Sequence, residues 1–177
     1  VITTSGPTGI WAQKKGMYFD GVAAGYVSIN NLSLNVKFSV HAWVLIKGDG
    51  DYTLFSKDKG TNNHMRFGVS NYRYSVDLAS DTAGSTYVNK ASSSVVDEDI
   101  WAYVVFSVKL EANGSDTTVK LYKDNAGVTG LATHTGIFVI DPPTYTAYIG
   151  MSRSAAGAAE KLWKGYIWEF LIYQKLH

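Results

Sequence analysis

Aromatic, histidine and arginine side chains recur at alternate positions along this chain, and the pattern is typical of a surface that binds sugar. A pyranose offers an apolar C–H face and a rim of hydroxyls, so aromatic side chains with a few polar neighbours bind it. Trp43 and His41 lie two residues apart, which places both on one side of a β-strand. An alternative for Trp43 is packing beneath a neighbouring loop. The predicted ligand-binding residues are His41, Trp43, His64, Arg66, Tyr72 and Tyr74.

The acidic residues give little support for catalysis. A glycosidase needs two carboxyl groups about 5 to 9.5 Å apart. The only run of acidic residues is Asp97-Glu98-Asp99, and Asp97 and Asp99 flank no aromatic strand that could hold a sugar. The 4 histidines are too scattered to predict a zinc site, and no nucleophile motif accompanies them. We therefore expect no enzymatic activity.

Calcium is the metal that the carboxylates could bind, since it takes about six to eight oxygen ligands. The first candidate pair is Asp20 with Glu169, near the two ends of the chain. A second group, Asp49, Asp51 and Asp58, lies in predicted loops. Because tight turns also require Asp and Gly, we interpret residues 48–51 as a turn rather than as a metal site.

The composition argues against several classes of partner. The 16 Lys and Arg residues nearly balance 15 Asp and Glu residues, so the net charge of +1 creates no field that would gather nucleic acid or acidic lipid. The longest apolar run, residues 100–106, is far shorter than the ~20 residues that cross a bilayer. The first residues show no signal-peptide pattern, so we expect a processed N terminus or a piece of a larger protein. Two sequons predict glycosylation at Asn31 and Asn113 if the protein is secreted.

Short strands separated by turn residues predict the fold. The clearest strand covers residues 36–47, where Phe38, Val40 and Val44 alternate with polar or amphipathic residues, and we expect it to be a central strand. Gly157 lowers the helical propensity of residues 154–162, so we expect a loop or a single turn there. The absence of a long amphipathic helix predicts one all-β sandwich domain over residues 1–177, with residues 1–16 as an N-terminal arm that covers an edge. The other predicted strands are 17–20, 26–29, 52–57, 64–69, 72–79, 86–88, 100–110, 117–123, 136–140, 145–150 and 162–175.

The closing strand is apolar on both sides, which predicts an interface. Trp163, Trp168 and Leu171 occur with Phe170 and Ile172 in one short stretch, so they cannot all point into one core. Exposed contiguous apolar area usually marks an interaction surface. We therefore expect Leu171 and either Trp163 or Trp168 to contact the N-terminal arm or a neighbouring subunit.

Six motifs in this order resemble the laminin-G-like domains of the concanavalin A-like lectin/glucanase superfamily. They are MYFDG (17–21) with 26–27, FSVHAWV (38–44), WAYVVF (101–106), VKLY (119–122), YIG (148–150) and KGYIWEFLIY (164–173). The resemblance implies a jelly roll of two antiparallel sheets, with ligand and calcium sites on the concave face or in the rim loops. The chain has Trp168-Glu169 where the family typically has an Asp-Glu pair, and this departure argues against a metal there.

These observations predict a non-enzymatic, extracellular or cell-surface recognition and adhesion module that binds a protein or a glycan. A homo-oligomer or larger assembly is expected, without nucleic acid or membrane insertion. The first alternative is a lectin-like carbohydrate-binding module, and the last is a glycoside hydrolase of the glucanase type.

Overall fold

The structure is a computed structural model that describes part of the chain in detail. The described residues are 2–3, 16–22, 24–34, 37–58, 64–79, 87–110, 116–124, 126–127, 132–135, 145–154 and 157–174. Within these ranges the regular structure consists of strands alone, and no helix that could cross a bilayer occurs in them. The all-β prediction is therefore confirmed.

Two antiparallel sheets form the sandwich, with strands numbered in chain order. The larger sheet has the spatial order β1 (Ile2–Thr3), β2 (Gly16–Asp20), β16 (Lys164–Gln174), β4 (Lys37–Ile46), β9 (Ala102–Leu110), β10 (Asp116–Lys123) and β11 (Ala126–Gly127), and β12 (Ala132–Thr135) also pairs with β10. The smaller sheet has the order β3 (Val27–Ile29), β13 (Ala147–Ile149), β5 (Tyr52–Asp58), β6 (His64–Ser70), β7 (Arg73–Ala79) and β8 (Tyr87–Val95). A short hairpin joins β14 (Ser152–Arg153) to β15 (Ala159–Glu160).

The predicted strands agree with the observed ones except in a few segments, and the short strands β11, β12 and β14 were not predicted. The predicted strand at 86–88 is longer, since β8 extends to Val95. The predicted loop at 154–162 contains a turn closed by the Gly157 amide donating to Ser154, but it also contributes β15. Within the N-terminal arm, β1 pairs with β2 at the edge of the larger sheet. The predicted strand at 136–140 lies outside the described residues.

The core lies between the two sheets and is built on β4. Alternation along β4 sends Phe38, Val40 and Val44 inward, where all three are buried. They meet an aromatic stack from both sheets, in which the Phe67 ring lies 5.9 Å from Phe55 and 5.2 Å from Phe106. The prediction that this strand is central is therefore confirmed.

Two residues predicted to work at the surface are in the core instead. Tyr74 is 2% exposed because it is in phase with Val76 and lies opposite the buried Val69. Burial raises the pKa of the Tyr74 hydroxyl. Trp163 is 0% exposed, with its ring 6.2 Å from that of Tyr52. Tyr74 therefore cannot reach a ligand in this structure, and Trp163 cannot reach a partner.

Candidate functional site

The outer face of the larger sheet carries a band of aromatic side chains, which we call the aromatic face. On β4, His41 and Trp43 alternate with buried residues and point away from the core. Residues directly opposite on antiparallel strands point to the same side. The register therefore adds Trp168 of β16 and Tyr103 of β9, both opposite Trp43, to this face. The members of the aromatic face are Tyr18, His41, Trp43, Trp101, Tyr103, Tyr166, Trp168, Leu171 and Tyr173.

A central cluster of five rings lies in the middle of this face. Ring centroids are 6.2 Å apart for Trp43 and Trp168, with 33° between the planes, and 5.4 Å apart for Trp43 and Tyr103. The His41 ring lies 6.0 Å from Tyr103 and 4.8 Å from Tyr173. Trp43 thus has an aromatic neighbour on each side.

Hydrogen bonds fix the polar groups of the central cluster. His41 Nδ1 and the Tyr103 hydroxyl are 2.8 Å apart, and His41 Nε2 and Ser39 Oγ are also 2.8 Å apart. Burial lowers the pKa of His41, so the ring is neutral at neutral pH and has one donor and one acceptor nitrogen. Burial, with smaller effects from Tyr173 and Glu169, raises the pKa of Tyr103. The Tyr103 hydroxyl therefore keeps its proton.

A flanking cluster lies next to the central one and consists of Tyr18, Trp101 and Tyr166. The Tyr166 ring is 4.9 Å from Tyr18 and 6.2 Å from Trp101. A Cβ atom at Gly16 would lie 3.3 Å from the edge of the Trp101 indole. The glycine thus leaves room for Trp101 to lie close to β2.

A β-bulge in β16 separates Trp168 from Leu171 at the edge of the central cluster. Trp168 is opposite Trp43 and Leu171 is opposite His41, so three steps on β16 match two steps on β4. Glu169 occupies the bulge in a left-handed conformation with φ of 51°. Its side chain is exposed. A non-glycine residue in this conformation is strained, and such strain concentrates at functional sites.

The predicted ligand-binding residues do not share one surface. His64 and Arg66 point outward from β6, which belongs to the smaller sheet, so they lie on the side of the sandwich opposite His41 and Trp43. There His64 Nε2 lies 3.2 Å from Asp77 Oδ1, and Arg66 Nη1 lies 3.2 Å from Glu160 Oε1. Burial alone would raise the pKa of Asp77, but His64 and Arg66 outweigh it and lower that pKa. The outer side of the smaller sheet therefore carries a half-buried network of charged side chains.

Tyr72 lies at one end of the sandwich, in the tight turn between β6 and β7. Asn71 and Tyr72 both have positive φ, as the two central residues of a type I′ hairpin turn require. The Tyr72 hydroxyl donates to Asp49 Oδ2 over 3.0 Å, and Asp51 Oδ1 accepts from the Asn71 amide at 3.0 Å. Asp49 and Asp51 therefore brace the two loops against each other.

The two carboxylates predicted to bind calcium are far apart. Asp20 of β2 lies opposite Lys164 in the strand register, at one end of β16. Its Oδ1 accepts a hydrogen bond from the backbone amide of Val22 at 3.1 Å. Glu169 lies five residues further along β16, about 17 Å away at strand spacing. They therefore cannot bind one ion. In the described ranges, no group of three or more His, Asp or Glu residues could hold a metal.

Of the predicted interface residues, Trp168 and Leu171 do lie on the aromatic face. Trp168 is 8% exposed beside Trp43, whereas Leu171 is 43% exposed and its neighbour Tyr173 is 56% exposed. Asn31 is an exposed turn residue with positive φ. Asn113 lies outside the described residues.

The sequence prediction missed most of the aromatic face. Tyr103, Tyr166 and Tyr173 were not among the predicted ligand residues, and neither were Tyr18 and Trp101. A signal was present on β9, where Tyr103 lies between the buried Ala102 and Val104. Trp43 lies in the same way between the buried Ala42 and Val44 on β4. What was missing was the pairing of β9 with β4.

A family model for the concanavalin A-like lectin/glucanases superfamily, of the laminin-G type, matches residues 19–176. The match begins within β2 and extends past the end of β16. It therefore includes every strand of both sheets except β1. The sequence matches no curated protein.

Solved structures of similar fold include three that have been seen with sugars or as assemblies. Domain 4 of AbnA, a GH43 extracellular arabinanase from Geobacillus stearothermophilus in complex with arabinotriose, has a TM-score of 0.71 and 17% identity, covering 98% of this chain and 75% of that one. The CBM40 of the Ruminococcus gnavus IT-sialidase, bound to α2,3 sialyllactose, has a TM-score of 0.62 and 15% identity, covering 80% and 77%. A native heptameric SAP-like pentraxin from Limulus polyphemus has a TM-score of 0.62 and 14% identity, covering 90% and 76%.

Proposed function

This chain belongs to the laminin-G type of the concanavalin A-like lectin/glucanase superfamily, and on that basis we propose that it is a carbohydrate-binding module whose aromatic face holds a glycan. The observation that carries the proposal is the central cluster, where Trp43 has Trp168 on one side and Tyr103 on the other. Such a platform can stack against the C–H face of a sugar ring.

The polar groups beside the platform support the same function. The Ser39, His41 and Tyr103 side chains are joined by hydrogen bonds, so their hydroxyls and ring nitrogens have fixed positions. Sugar sites combine an apolar platform with a small number of placed polar groups that bind hydroxyls. The aromatic face has both the apolar platform and the polar groups on the paired strands β4 and β9.

The structural comparisons favour a glycan over other ligands. Two of the similar structures were determined with a bound oligosaccharide, arabinotriose in one and sialyllactose in the other. The arabinanase domain is also part of an extracellular protein. We infer the same location for this module, as a single domain, and the exposed sequon at Asn31 agrees with it.

We infer that the module does not hydrolyse its glycan. Asp97 and Asp99, from the only run of acidic residues in the sequence, each lie 2.8 Å from a lysine, Lys123 and Lys47 respectively. A glycosidase needs two carboxyl groups that act together across the scissile bond, whereas each of these carboxylates is engaged by a lysine. Incubation with the bound glycan should therefore release no reducing ends.

Glycan-array screening followed by calorimetry on the best ligand tests the proposal. We expect wild-type protein to bind at least one glycan, and Trp43→Ala to lower its affinity about tenfold or more, since 1.4 kcal/mol of lost stacking has that effect. The matched control is Tyr72→Ala, which removes an exposed ring at the end of the sandwich. Full affinity in Trp43→Ala, or no binding on the array, would contradict the proposal.

Self-assembly through the same face is the second candidate function, favoured by the exposure of Leu171 and Tyr173. Adjacent exposed apolar residues are a common feature of interfaces. Light scattering of wild type and Leu171→Asp separates the candidates. A wild-type oligomer that the substitution converts to a monomer supports assembly, and a monomer in both samples contradicts it.

A further inference from the structure

The two aromatic clusters follow one another along the strands. Tyr166 of the flanking cluster and Trp168 of the central cluster are two residues apart on β16, and their partners on β4 are Leu45 and Trp43. Side chains two residues apart on a strand are separated by about 7 Å. The clusters therefore lie one behind the other in the strand direction.

The central cluster itself extends past Trp43 and Trp168 in the same direction. His41 follows Trp43 on β4, and Tyr173 lies opposite Ser39 with its ring 4.8 Å from His41. From Leu45 to Ser39 is six residues along one strand, or about 20 Å. This length accommodates several linked sugar rings, whereas a single terminal sugar would contact one cluster only.

We propose that the module binds a linear glycan chain that lies along β4. Successive sugars contact first the flanking cluster, then Trp43 and Trp168 of the central cluster, and then His41 and Tyr173 at the far end of the central cluster. This inference rests on the proposed function and adds the class of ligand. It assigns Tyr18, Trp101 and Tyr166 to a second subsite. The preferred ligand is an internal stretch of an unbranched polysaccharide.

The flanking cluster has the features of a subsite. Trp101, just before β9, is half-buried and lies against Tyr166. Gly16 lets the indole approach β2, where Tyr18 lies on the far side of Tyr166. The rings thus come from three separate parts of the chain and meet on one surface. None of these three rings belongs to the hydrophobic core cluster between the sheets.

Calorimetry with ladders of linear arabino-, xylo- and cello-oligosaccharides, from monosaccharide to hexasaccharide, tests this inference. We expect affinity in one ladder to rise about tenfold or more between the monosaccharide and the tetrasaccharide. Trp101→Ala should reduce that gain, whereas the control Tyr72→Ala, at the end of the sandwich, should leave the whole length series unchanged. Trp43→Ala should lower affinity at every length.

A second variant covers the case in which Trp101→Ala fails to fold. Tyr18→Ser removes a ring of the same cluster from β2 and should also reduce the gain with length, with thermal melting as the check on folding. Equal affinity for short and long oligosaccharides, or binding only to branched or capped glycans on the array, would overturn the linear-chain inference. Loss of binding in Trp43→Ala would still support the proposed function in either case, whereas full affinity in Trp43→Ala, or the absence of any glycan ligand, would overturn both.

Discussion

Trp43 lies directly opposite Trp168 where β4 pairs with β16, and their ring centroids are 6.2 Å apart. Both side chains are on the outer face of the larger sheet. Trp163, immediately before β16, is instead completely buried in the core. Two tryptophans only five residues apart therefore have different roles: Trp163 packs between the sheets, whereas Trp168, only 8% exposed, packs beside Trp43 on the outer side of the larger sheet.

Alanine substitutions should separate these two roles. Trp163→Ala leaves a large cavity between the sheets and should lower the free energy of unfolding by about 3–5 kcal/mol. Trp168→Ala removes a cross-strand pair on the outer face, so its stability loss should be clearly smaller, while its glycan affinity falls. Urea denaturation and calorimetry measure the two effects. Equal stability losses would mean that Trp168 belongs to the core.

The neutral state of His41 predicts a pH dependence of stability. Because burial lowers the pKa of His41 in the folded protein, the unfolded chain binds more protons below about pH 6.5, the ordinary histidine value. The free energy of unfolding should therefore decrease as the pH falls below 6.5. His41→Gln should reduce that decrease in urea titrations at about pH 7.5 and about pH 5. Identical pH profiles for the two proteins would contradict the assignment.

Lys57 predicts a second pH dependence, on the alkaline side. Its side chain is buried, Nζ donates to the Leu32 carbonyl over 2.7 Å, and burial lowers its pKa to about 8. Between that value and about 10.4, the ordinary lysine value, the unfolded state binds more protons, so Lys57 makes the protein more stable as the pH rises. Lys57→Met lacks this contribution. The difference in free energy of unfolding between wild type and Lys57→Met should therefore increase in favour of wild type above pH 8. A difference that stays constant with pH would contradict the lowered pKa of Lys57.

The sequence predicted most of the sandwich because its strands have one buried face. On β4 the inward positions hold apolar residues at every second place, so the period of two identified both the strand and its core side. The same rule could have placed Tyr74, which is in phase with Val76 and Leu78 on β7. Its phenol group suggested a surface role that its position does not allow.

The candidate site was harder to predict because alternation describes one strand at a time. His41 and Arg66 both point away from the core, but β4 and β6 belong to different sheets, so the two side chains lie on opposite sides of the protein. Strand pairing brings Tyr103 beside Trp43 across 60 residues of sequence, and no local pattern carries that information. The bulge in β16 also shifts the alternation, which hid the outward direction of Tyr173.

The strained conformation of Glu169 gives a prediction that links stability to binding. With φ of 51°, Glu169 has a backbone conformation that glycine adopts without steric cost. Glu169→Gly should therefore raise the free energy of unfolding, by about 0.5–1 kcal/mol, relative to the matched control Glu169→Ala, which loses the same carboxylate but keeps the strain. If the bulge holds the carboxylate beside Trp168 for sugar hydroxyls, both variants should lose glycan affinity equally. Urea denaturation and calorimetry measure the two quantities, and a glycine variant no more stable than the alanine variant would show that the bulge carries no strain.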